Sequence, residues 1–74
     1  MARVLHLWKG GDPALAVATL ERQAAAGDVV TVALLHGAPA PPMPAGVRAQ
    51  RVPEDLSFDA LLRAIFEHDQ VVTW

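Results

Sequence analysis

Apolar positions along the chain switch between strand-like and helix-like spacing, and the switches fall at glycine, proline and aspartate. Arg3-Val-Leu-His-Leu-Trp8 is a short apolar run that stops at Lys9-Gly10-Gly11, which predicts a strand and a glycine turn. Asp12-Pro13 then reads as a helix start, because a carboxylate caps free N–H groups and proline suits the first helical position. The helix is expected to run to about Ala26 and stop at Gly27. Leu15, Ala18, Thr19 and Arg22 share one side of it, and Ala16, Leu20 and Ala24 form a second, small-residue stripe suited to close packing on a sheet.

After Asp28, the nearly continuous run Val29–Leu35 predicts a central parallel strand covered on both faces. Ala38–Gly46 holds four prolines, which exclude both helix and central strand, so an extended surface loop is expected there. Val47–Val52 alternates more weakly and predicts a strand nearer a sheet edge. Pro53–Ser57 leads into a second helix, capped by Ser57 with Asp59 in its first turn, and expected to carry Leu61, Leu62, Ile65 and Phe66 toward the sheet. Gln70–Trp74 ends the pattern as a short strand.

The resulting order, β-α-β-loop-β-α-β, predicts a single small α/β domain over residues 1–74: a mostly parallel four-stranded sheet with two helices and right-handed crossovers. Two helices cannot fully cover both faces of such a sheet, so an uncovered face or edge strand is where a partner is expected.

Composition sharpens this picture. At 74 residues, 53% hydrophobic and 19% charged, the chain is small and apolar, and it has no cysteine to staple it, hold a metal through thiolates or carry a persulfide. Oligomerisation is the remaining source of stability. The six basic residues are scattered, the net charge is -2, and no basic stripe for direct nucleic-acid binding forms. No apolar run is long enough to span a bilayer, and a cytoplasmic protein is expected.

Few residues offer chemistry. His36 follows a predicted parallel strand, where open α/β sheets take ligands, and with the Lys9-Gly10-Gly11 turn it makes a candidate small-ligand or anion site; a plain strand-to-helix turn is the competing reading. The glycine spacing is not a phosphate-loop or dinucleotide fingerprint, and Asp12 would repel an anion. His6 reads as a partly buried strand residue, and His68 as a helix C-terminal residue favoured by the dipole. Glu54, Asp55 and Asp59 read as capping and solvation of the second helix rather than acid-base catalysts, and Ser57 lacks a histidine-acid relay. Trp8 and Trp74 either close a core or anchor an interface. No nucleophile-base pair or metal cluster emerges, so no catalytic residue, metal or cofactor is expected.

The opening Val4-Leu-His-Leu7, the Gly27-Asp-Val-Val segment, and the ending Leu56-Ser-Phe-Asp-Ala-Leu-Leu through His68-Asp-Gln-Val-Val-Thr-Trp74 together resemble the TusB/DsrH family of DsrE-like sulfur-relay subunits. The matching segments cover roughly two-thirds of the chain. The resemblance implies a DsrE-like fold and membership of a complex with DsrE-, TusC- and TusD-like subunits. Such complexes hand persulfide sulfur along cysteines toward wobble-uridine 2-thiolation of tRNA or, in the Dsr branch, toward sulfur oxidation. The chain departs from the family by being shorter, with the proline loop where a second helix would lie. Thr19 stands nearest the place where DsrH-type chains carry a cysteine. The implied role is a non-catalytic accessory subunit, homo- or hetero-oligomeric, with Trp74 and Trp8 at its interface; the alternative is a stand-alone small-ligand or anion-binding module.

Overall fold

β1 (Arg3–Trp8) is the strand on which the rest of the molecule is laid. In a computed structural model that describes residues 1–74, it is followed by α1 (Pro13–Ala25), β2 (Val29–Leu34), β3 (Val47–Arg51), α2 (Phe58–Glu67) and β4 (Gln70–Thr73). The four strands form one all-parallel sheet in the order β3-β2-β1-β4. The fold class and element order are those expected from the sequence. The described strand β2 ends one residue before the predicted Leu35.

Strand alternation assigns the faces. His6 and Trp8 of β1 project with Val30, Val32 and Leu34 of β2 toward α1, which supplies Ala16 and Leu20 to a core with Trp8, Val30, Val32 and Leu34. Leu5 and Ala33 project oppositely and pack with Val52 and with Leu61 of α2. One helix therefore covers each face. Both ends of the helices are satisfied locally: the Asp12 carboxylate accepts from the Ala14 and Leu15 N–H groups, and Ser57 Oγ accepts from Ala60 N–H at 3.1 Å. Gly27, at φ 88°, supplies the left-handed residue after α1.

Two aspartates fix the start of β1. Asp28, just before β2, accepts from Ala2 N–H at 3.1 Å, and Asp69, just before β4, accepts from Arg3 N–H at 2.7 Å. Each neighbouring strand thus arrives with a carboxylate that occupies a backbone donor at the entry to β1.

One expectation needs correcting. The second helix does not send Leu62 and Phe66 to the sheet: Leu61 is 8% exposed, whereas Leu62 is 57% and Phe66 81% exposed. The sheet-facing arc is Leu61, Ala64, Ile65 and His68. At about 100° per residue, Phe58, Leu62 and Phe66 lie on a flank of the helix. The proline segment is the irregular, largely exposed loop expected, and it also makes inward contacts. Pro41 is buried, Met43 packs against the α1-side core, and the Pro39 carbonyl accepts the Trp8 indole N–H at 2.9 Å. It acts as a strap over the core on the α1 face.

No helix is long and apolar enough to cross a membrane.

Candidate functional site

In sequence order the chain runs outward from β1 to β2 and β3, then returns to place β4 on the other side of β1. The switch of direction lies between β1 and β4. In open α/β sheets the crevice beyond the carboxyl ends of the strands at such a point is the usual ligand site.

Here that crevice is filled from within. The register pairs His6 with Val72, so alternation brings Trp74 beside Trp8 on the α1 face. The Trp74 ring stacks on His6 with centroids 6.0 Å apart and planes at 21°, and it meets Trp8 at 5.9 Å and 60°. Gly11 lies over this pair: a Cβ placed there would stand 3.6 Å from the Trp8 ring and 4.0 Å from Trp74 Cβ.

His6, beneath the indoles, is fully buried. The Trp74 Nε1–H donates to His6 Nδ1 at 2.9 Å, and His6 Nε2 lies 2.6 Å from Gln23 Oε1. An indole nitrogen only donates, so Nδ1 is the acceptor and the proton sits on Nε2, which donates to the amide oxygen. Burial pushes the His6 pKa below its ordinary 6.5, and the hydrogen bond to Gln23 opposes this only in part. The imidazole is thereby a neutral bridge between helix α1 and the last residue of the chain. No buried side-chain polar atom is left without a partner.

The other sequence-derived candidates are placed as follows. Lys9 and Gly10 are exposed, with Gly10 at φ 110°, and the adjoining N–H groups at the start of α1 are already taken by Asp12. His36 is exposed in the turn after β2 and adopts φ 56°. Trp8 is buried in the core, whereas Trp74 is half-buried. His68 caps α2 and donates from Nδ1 to the Ala64 carbonyl at 2.6 Å. Asp55 accepts from Arg51 N–H, and the Thr19 hydroxyl donates to the Leu15 carbonyl.

Sequence reasoning missed Gln23 and the joint role of His6 and Trp74. The available signal was the even spacing that places His6 and Trp8 on one face of β1, with a polar Gln23 on an otherwise alanine-rich helix. A shallow cavity of about 340 Å³ opens at the carboxyl ends of β2 and β3 beside Gly37, Ala38, Arg51 and Glu54. It holds one cation and one carboxylate and no histidine. No three His, Cys, Asp or Glu side chains converge to hold a metal ion.

Comparison with protein-family models, with curated proteins and with solved structures returned no match.

Proposed function

We propose that this chain is a non-catalytic subunit of a cytoplasmic sulfur-relay complex of the TusBCD/DsrEFH kind, with the persulfide-bearing cysteine on a partner. The observation that carries the subunit reading is the sealed crevice: the place where a parallel α/β sheet would receive a small molecule is occupied by Trp8, Trp74 and Gly11. Meanwhile Phe58, Leu62 and Phe66 stand exposed on α2. The polar group closest to the crevice, His6, has both nitrogens engaged internally. Such a molecule offers surface rather than chemistry.

The assignment to a sulfur relay is supported by the resemblance of the Leu-His opening and the ending through Trp74 to the TusB/DsrH family. A chain without cysteine cannot carry the sulfur, so its contribution is to shape or hold the cysteine-bearing DsrE-, TusC- or TusD-like chains. Co-expression with DsrE-like chains from the same source, followed by light scattering of the purified material, tests it. A mixed complex of defined mass is the expected result. A protein that ignores those chains, and whose melting temperature instead rises with a small anion, would replace this reading with that of a ligand-binding module.

A further inference from the structure

The two edges of the sheet are unlike. β3, at one edge, carries Arg48 and Arg51 among its five residues, and charge on an edge discourages pairing with another strand. β4, at the other, reads Gln-Val-Val-Thr and carries none. The Trp74 N–H donates inward to the Leu7 carbonyl, and the register sets Val72 against His6. Alternation along the strand then turns the N–H and C=O groups of Val71 and Thr73 away from β1, toward the open side.

Helix α2 covers the face that Val71 shares with Leu5, packing Leu61 against Leu5, Ala33 and Val52. An open groove of about 270 Å³ runs beside its C-terminal half, lined by Leu56, Ala64 and His68 on the helix side and by Thr31, Arg48 and Gln50 on the strand side. Ala64 thus marks the flank of α2 that looks toward β3. The opposite flank, about 100° around the helix from Leu61, carries Phe58, Leu62 and Phe66 at successive i, i+4 positions and faces the β4 side. Phe58 is 64% and Val71 38% exposed. Open backbone groups and an apolar stripe therefore lie on the same side of the molecule.

We propose that this surface pairs with a second copy of the chain, β4 against β4 in antiparallel register, extending the sheet across a two-fold axis. The register is fixed by which groups point outward. Val71 of one copy and Thr73 of the other exchange both backbone hydrogen bonds, the reciprocal pair does the same, and the two Val72 residues meet at the axis as a non-hydrogen-bonded pair. An axis perpendicular to the sheet leaves both α2 helices on the same face, running antiparallel. Each Phe58 then approaches the other copy's Phe66, with the Leu62 residues at the centre. The stripe is self-complementary in length because Leu62 is its midpoint.

The area is of the right order. With about 200 Å² for a phenylalanine and proportionately less for leucine and valine, the four exposed side chains present about 450 Å² per chain. The strand edge and the flanking polar residues of α2 bring this toward the ~800 Å² per partner of a standard interface. The inference deepens the subunit reading and rests on it, by naming what occupies one of its surfaces.

Light scattering of the chain alone, across a dilution series, tests the proposal. The expected result is twice the 7.9 kDa chain mass at high concentration, falling toward the single-chain mass on dilution. Leu62→Glu should give the single-chain mass throughout, with far-UV circular dichroism unchanged because Leu62 lies outside the core. Val71→Pro should do the same, since it removes an outward N–H and leaves the bonds to β1 in place. Arg48→Ala, at the other edge, should not alter the mass. A wild-type chain that stays monomeric at high concentration overturns the proposal, as does a dimer that survives both Leu62→Glu and Val71→Pro. A monomer that nonetheless assembles with DsrE-like chains defeats this inference alone, whereas a homodimer that ignores those chains defeats the relay reading alone.

Discussion

Replacing Trp74 with alanine should cost this small protein a large part of its stability, and the size of the loss can be worked from the contacts. The substitution removes a half-buried indole that stacks on His6 and tilts against Trp8. Deleting a large aromatic from a packed site costs about 3–5 kcal/mol, and partial exposure places this one near the lower end. The indole also donates the hydrogen bond that satisfies His6 Nδ1. An acceptor left buried without a partner costs about 1–3 kcal/mol unless water enters to replace it. Since water can reach the vacated position, we expect a total of about 3–4 kcal/mol. A domain of this size has about 4–11 kcal/mol to lose, at ~0.05–0.15 kcal/mol per residue.

Trp74→Phe distinguishes the two contributions, because it removes the donor and keeps a smaller aromatic ring; about 1–2 kcal/mol is expected. Urea unfolding followed by far-UV circular dichroism, at fixed protein concentration so that any self-association is held constant, measures both. If the alanine variant loses under 1 kcal/mol, Trp74 is not part of the core. Equal losses for the two variants would mean that the ring contributes nothing and that the packing described here is wrong.

Three further outcomes are expected. Burial holds His6 neutral in the folded protein, while the unfolded chain regains the ordinary value of 6.5. The stability linked to this group is therefore complete above pH 6.5 and declines as the pH falls from there through the lower folded value. His6→Gln should flatten the stability profile between pH 6.5 and about 5, above the range where carboxylates dominate. An unchanged slope in urea midpoints would refute this. Leu61→Ala should destabilise by about 2–4 kcal/mol, and Leu62→Ala by no more than about 0.5 kcal/mol in the dilute monomer; the reverse order in thermal melts would restore the inward placement of Leu62. Asp12→Ala should cost about 1 kcal/mol by freeing the Ala14 and Leu15 N–H groups, read as a lowered urea midpoint with an unchanged slope.

The elements were legible because their punctuation is chemical: Asp12-Pro13 and Ser57 start helices, Gly27 follows one, and four prolines bar regular structure between β2 and β3. Burial direction was less legible in α2. Leu61, Leu62, Ile65 and Phe66 together span too wide an arc for spacing alone to say which part faces the sheet. The answer came from how α2 sits on the sheet, with Leu61 against Leu5, Ala33 and Val52, which is a property of the packed molecule. In α1 the inward placement of Ala16 and Leu20 was readable, since small residues suit close approach to a sheet. The filled crevice was the least legible feature. His6 and Trp74 are separated by 68 positions, and only the parallel register of β1 and β4, with the strand order that makes them neighbours, brings the two rings together. Pro39 likewise meets Trp8 because the strap folds back over the core, which proline content alone does not specify.

The two indoles of this protein also make it a self-reporting molecule. Trp8 gives its N–H to the strap at Pro39, and Trp74 gives its N–H to the imidazole of His6. In a nitrogen-proton NMR spectrum these are two isolated signals with different informants. The Trp74 signal follows the protonation of His6 and so reads acidity at the centre of the sheet. The Trp8 signal follows the strap, and its exchange with solvent times the opening of that segment without any label being added.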